Sequence, residues 1–154
     1  VSVRVTDNGA AKLFADLKAL GAMKVRVGVL ADEPKRAAEG RGSRASLLEV
    51  AAMHEFGAPG ANIPQRSFIR GTVDAKRAEI AAKQTALAKQ VAESELDPRV
   101  ALERLGASVA GMVQTRIAEG IDPPNAPATR DAKGSSTPLV DTGQLRSSIT
   151  WQVG

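Results

Sequence analysis

The groups in this chain best suited to moving a proton are His54 and Glu55, an imidazole beside a carboxylate. They form the only place where a general base can be argued. A zinc-protease helix needs a second His four residues on, and Ala58 stands there instead. With one His and no Cys in 154 residues, the usual zinc ligand sets cannot be assembled. The missing cysteines also remove disulfides and thiolate nucleophiles, and suit a reducing cytoplasm. Asp32-Glu33 and Glu93 with Glu95 are carboxylates in polar surroundings, with nothing to tune one as acid and its neighbour as base. Ser135-Ser136 lies in a Gly/Pro-rich stretch without a nucleophile elbow. Gly40-Arg41-Gly42 lacks a phosphate-loop Lys. The expectation is a protein that is not an enzyme and holds no cofactor or metal. His54 then reads as a helix-end cap or core-edge residue.

A second kind of chemistry, contact with phosphates, rests on charge. The chain carries a formal +4 and a pI near 9.8. Lys35, Arg36, Arg41 and Arg44 make one basic stretch, and Arg130 with Lys133 another. Such loops suit weak, sequence-independent contact with genomic DNA. Aromatic residues are only 3%, with no Tyr, so stacking on bases is not a main theme. No helix-turn-helix or zinc-finger signature accompanies the charge. No apolar run reaches the roughly 20 residues of a membrane span, and the first residues alternate rather than forming a leader, so the chain reads as soluble and unprocessed.

The elements that position these residues follow from periodicity. Three stretches alternate with period two: Val1, Val3, Val5; Val25, Val27, Val29; and Ile149, Trp151, Val153. Each offers one apolar face, which predicts a small, mostly antiparallel sheet covered by helices on one side. A helix capped by Asn8 and ended by Gly21 is expected to bury Leu13, Phe14, Leu17 and Leu20. A short helix over 46–55 turns Leu47, Val50 and Ala51 inward, with Phe56 as a large apolar contact at its end and Gly57 as its C-cap. A long, Ala- and Lys-rich helix runs from about Ser67 through Ile80 and Leu87 to Val91. Arg66 and Arg70 then lie one turn apart, free to pair with Glu55 or a carboxylate of another subunit. Asp97-Pro98 starts a second long helix whose stripe is Val100, Leu105, Val109, Met112, Val113 and Ile117, closed by Gly120. Gly106 and Gly111 inside it mark close packing. Asp141 and Gln144 have the spacing of a capping box, setting Leu145 inward before the last strand. The whole is one α+β domain over 1–154, with two long helices and loop arms at about 31–45 and 121–138.

Three segments in order resemble the tail-completion and neck proteins of tailed bacteriophages, the virion morphogenesis family. The first is Val50-Ala-Ala-Met-His-Glu-Phe-Gly57 followed by Ile63-Pro-Gln-Arg-Ser-Phe-Ile-Arg70, with Ser67 where the family has Pro. The second runs from Asp122 through Pro123-Pro124-Asn125-Ala126-Pro127 to Thr129, with Arg130-Asp131 where the family has an apolar residue and Lys133-Gly134 shortly after. The third is Pro138-Leu-Val-Asp-Thr-Gly-Gln-Leu-Arg-Ser-Ser-Ile149. The matching segments span about two-thirds of the chain. The resemblance implies a mixed α/β fold without catalysis and a place at the head–tail junction or tail end. It implies partners of three kinds: further copies of the chain, with a six-fold ring as the natural guess; a head-completion or connector protein; and a tail-terminator or tail-tube protein. A minor tail or tail-terminator protein is the alternative, and a non-specific DNA-contacting module the alternative of another class. The candidate motif and interface residues are His54, Glu55, Phe56, Gly57, Arg66, Phe68, Arg70, Arg130, Lys133, Asp141, Thr142, Gly143, Leu145 and Arg146.

Overall fold

The computed structural model describes residues 8–30, 46–123 and 143–154. Within them the chain forms helix α1 (Asn8–Ala22), strand β1 (Val25–Val29), helices α2 (Leu47–Phe56), α3 (Arg70–Ala75), α4 (Arg77–Ala92), α5 (Pro98–Glu119) and α6 (Gln144–Ser147), and strand β2 (Ile149–Val153). A 3₁₀ turn, Pro59–Ala61, lies between α2 and α3. This is an α+β fold: long helices and a two-stranded antiparallel sheet. The alternating stretch at Val1, Val3 and Val5, the arm over 31–45 and most of the arm over 121–138 fall outside the described residues.

The strands pair as their alternation predicts. Val25 faces Val153, Val27 faces Trp151 and Val29 faces Ile149, so both apolar sets share one face. That face lies on α5, the helix at the centre of the domain. Asp97 caps α5 as expected, its Oδ1 accepting from the N–H of Arg99 at 2.8 Å and of Val100 at 3.3 Å. Gly120 ends it at φ 88°, ψ 152°, a conformation essentially reserved for glycine. The buried stripe is Ala101, Leu105, Gly106, Val109, Ala110, Val113 and Ile117. Val100 and Met112, expected inside, are exposed and half-buried respectively, because small residues carry the closest approach of the sheet to the helix.

Gly106 is where the approach is tightest. A Cβ there would stand 2.7 Å from Cδ1 of Trp151 and 2.8 Å from Cγ2 of Val25. Gly111, by contrast, has open space around it. Trp151 thus lays its ring against α5 yet stays partly exposed at its outer edge. Gly106→Ala should lower the urea midpoint. Overpacking costs about 1–3 kcal/mol, which outweighs the roughly 1 kcal/mol that Ala gains in helix propensity.

Four sequence expectations are corrected. Helix α1 passes Gly21 to end at Ala22, and it rests on α4 and α5 with Leu13 and Leu20 half-buried, leaving Phe14 and Leu17 outside. The expected helix from Ser67 to Val91 begins at Arg70 and turns at Lys76, whose ψ is 13°. The run Gly71-Thr72-Val73 is weakly helical, and the Thr72 hydroxyl donates to the Phe68 carbonyl, a pattern that bends helices. Phe56 lies 69% exposed rather than forming an apolar contact. Finally, the N-cap of α6 is Gly143 at φ 66°, and Gln144 is the first helical residue rather than the third; Asp141 itself lies outside the described residues.

Candidate functional site

Helix α2 begins at a capping box: the Ser46 hydroxyl accepts from Glu49 N–H, and the Glu49 carboxylate accepts from Ser46 N–H at 2.6 Å. One face, Leu47, Ala51 and Glu55 at four-residue spacing, turns inward; Ala51 joins the core and Glu55 is buried beside it. A carboxylate in the last turn of a helix opposes the helix dipole. Here it serves another helix instead. Oε1 of Glu55 accepts from the Ser67 hydroxyl at 2.6 Å and from Arg70 N–H at 3.0 Å, and Oε2 accepts from Ile69 N–H at 2.9 Å. Ser67 Oγ also accepts from Gly71 N–H at 3.1 Å. The N–H groups of Ile69, Arg70 and Gly71 at the start of α3, which have no partners within the helix, are thereby satisfied. Ser67 is expected from its type to cap this helix; the N-cap position is held by Ile69 instead, and the Ser67 hydroxyl reaches Gly71 N–H from two residues before that cap.

The chain between these helices is held just as closely. Gly57 takes φ 79°, ψ 158°, which confirms the positive φ expected of a C-cap, and a Cβ there would meet Gln65 N at 3.0 Å. Gln65 Nε2 donates to the Glu55 carbonyl at 3.1 Å. Ala58 and Ile63 form a small bridge across the 3₁₀ turn. Arg66 N–H donates to the carbonyl of half-buried His54 at 2.7 Å, while its buried guanidinium donates from Nε to the Pro123 carbonyl at 2.7 Å. Burial pushes that guanidinium below its usual pKa, and it remains charged. Arg66 lies before α3, not one helical turn from Arg70. The pairing expected of the two arginines with Glu55 is therefore corrected: Glu55 binds the backbone of residue 70, and the Arg70 side chain faces solvent.

Phe68, two residues past Arg66, enters the core fully and packs in one cluster with Ala110, Val113 and Ile117 of α5, Leu145 of α6 and Ile149 of β2. The first and third motif segments thus meet over α5, with Gln114 Nε2 donating to the Ile149 carbonyl at 3.1 Å. Leu145 turns inward as predicted, and Arg146 beside it is exposed. Arg130, Lys133, Asp141 and Thr142 lie outside the described residues. No family profile, curated protein or solved structure matches this chain. The functional reading therefore stands on the geometry and on the motif residues themselves. Sequence reasoning missed the three-donor role of Glu55 and the part played by Gln65. A carboxylate set against the dipole at a helix end, with a hydroxyl residue twelve positions on, was the signal available. Among the described residues no three His, Cys, Asp or Glu side chains gather where a metal ion could sit, and no helix is long and apolar enough to cross a membrane.

Proposed function

We propose that this chain is a structural protein of a tailed-phage virion. It completes the tail or neck and joins the tail to the head connector, as one subunit of a ring. The observation that carries the reading is the use made of the motif residues. Glu55, Gly57, Arg66, Ser67 and Phe68 interlock to bind α2 to α3 and α5, while Phe56 at the same corner is turned outward. A motif spent on architecture and surface, with its one carboxylate occupied by three donors, supports assembly rather than catalysis. Its partners are further copies of itself, a head-completion or connector protein, and a tail-terminator or tail-tube protein. The resemblance favours a six-fold ring, and it assigns no reaction and no cofactor.

The test is direct. Tagged protein should be found at the head–tail junction of purified particles by electron microscopy, and particles made without it should separate into free heads and free tails. Protein confined to the host cytoplasm, with particles joining normally in its absence, defeats the proposal.

A further inference from the structure

Two helix faces in different parts of the molecule are apolar and uncovered. On α1, which rests on α4 and α5 by its other side, Phe14 is 72% exposed and Leu17 42%. On α2, Leu48 is 48% exposed and Phe56 69%, with exposed Ala52 between them at helical spacing. The opposite face of α2 is already committed to the core and to α3, so this helix is apolar on both sides, the pattern of a helix enclosed on both. An isolated exposed Leu needs no explanation; an aromatic and a Leu sharing one face on each of two helices do.

The two faces also carry opposite charges. Lys18 follows Phe14 by one turn on α1 and is exposed. Among the described residues, the acidic side chain of α1, Asp16, pairs with the other lysine, Lys12. Glu49 precedes Phe56 by two turns on the exposed side of α2. The backbone N–H of Ser46, and its hydroxyl after it, hold the Glu49 carboxyl below the usual carboxylate range, so it stays negative.

We propose that the Phe14–Leu17–Lys18 face of one copy docks on the Leu48–Phe56–Glu49 face of the next copy. Because the faces differ and each copy has one of each, the contact is head-to-tail, the kind that closes into rings or extends into filaments. Pairing either face with itself gathers like charges, Glu49 with Glu49 or Lys18 with Lys18, in one small patch. Four apolar side chains cover far less than the roughly 800 Å² per partner of a stable interface. A single contact is therefore weak, and it accumulates only when copies are concentrated or arrayed. The inference deepens the ring-subunit reading and rests on it for its biological setting.

The cysteine-free chain makes the test simple. Ala15→Cys and Ala52→Cys are small changes at exposed positions, one beside Lys18 at the flank of the α1 face and one within the α2 face. Mixed and oxidised at high protein concentration, with folding checked by circular dichroism, the two variants should give mainly mixed disulfide dimers. Either variant alone should give few, and a chain carrying both changes should give a ladder of multimers. Adding Lys18→Glu to the Ala15→Cys chain should lower the mixed yield severalfold. Equal yields of like and mixed dimers, no dimers at all, or a yield indifferent to Lys18→Glu would each overturn the proposal. Particles containing the chain but lacking the 15–52 bond defeat this interface alone. The bond without residence in particles supports the interface and defeats only the phage reading.

Discussion

Glu55→Ala is expected to destabilise the fold by about 4 kcal/mol, the largest loss from any single polar side chain in the described residues. Removing the carboxylate leaves the Ser67 hydroxyl and the N–H groups of Ile69 and Arg70 without their acceptor at a buried corner. Each unsatisfied donor costs about 1–3 kcal/mol, reduced where water can enter the space left behind. Glu55→Gln should fall between. Its remaining oxygen can keep Ser67 and Arg70, which both bond Oε1, while its amide sets a donor against the N–H of Ile69. Urea unfolding of the three proteins gives the order, wild type above Gln above Ala. A Gln variant as unstable as Ala would show that the three donors need both carboxylate oxygens, so that keeping one acceptor is worth nothing.

The second large effect separates two phenylalanines twelve residues apart. Phe68 has no exposed surface and touches the core of α5, α6 and β2. Phe68→Ala should therefore cost about 3–5 kcal/mol and lower the midpoint accordingly. Phe56, mostly exposed, should change the stability of the isolated chain by less than about 0.5 kcal/mol when cut to Ala. Its substitution should instead reduce assembly. A Phe56→Ala chain that unfolds as easily as Phe68→Ala would place that ring in the core and remove it from the candidate interface.

Much of the frame is legible in the residues themselves. Alternation located both strands and their shared face, and Asp97-Pro98 located the start of α5, because capping and pleating are local. The corner around Glu55 is different. Its three donors lie 12 to 15 residues along the chain, and a carboxylate that bonds backbone has no periodic signature. Phe14 and Leu17 satisfy helical spacing as well as Leu13 and Leu20 do, so periodicity names the apolar residues without saying which way the helix is turned. At Lys76 the turn between α3 and α4 comes without Gly or Pro at that position, which leaves nothing for a sequence rule to read. Gly143 shows the reverse case: a glycine inside a plausible capping box, where its own left-handed backbone decides the geometry.

The pairing of β1 with β2 has a consequence for biosynthesis. Val25 meets Val153 and Val29 meets Ile149, so the ladder joins positions separated by nearly the whole sequence. Such a contact closes a very long loop and forms late. On the ribosome, β1 emerges long before its partner exists, and its valines wait against an α5 that is itself unfinished. A nascent chain interrupted between Gly120 and Ile149 has α1 through α5 but an open sheet edge and an uncovered apolar strip, the features that quality control detects. Release of β2 from the exit tunnel is thus the step that closes this sheet over α5.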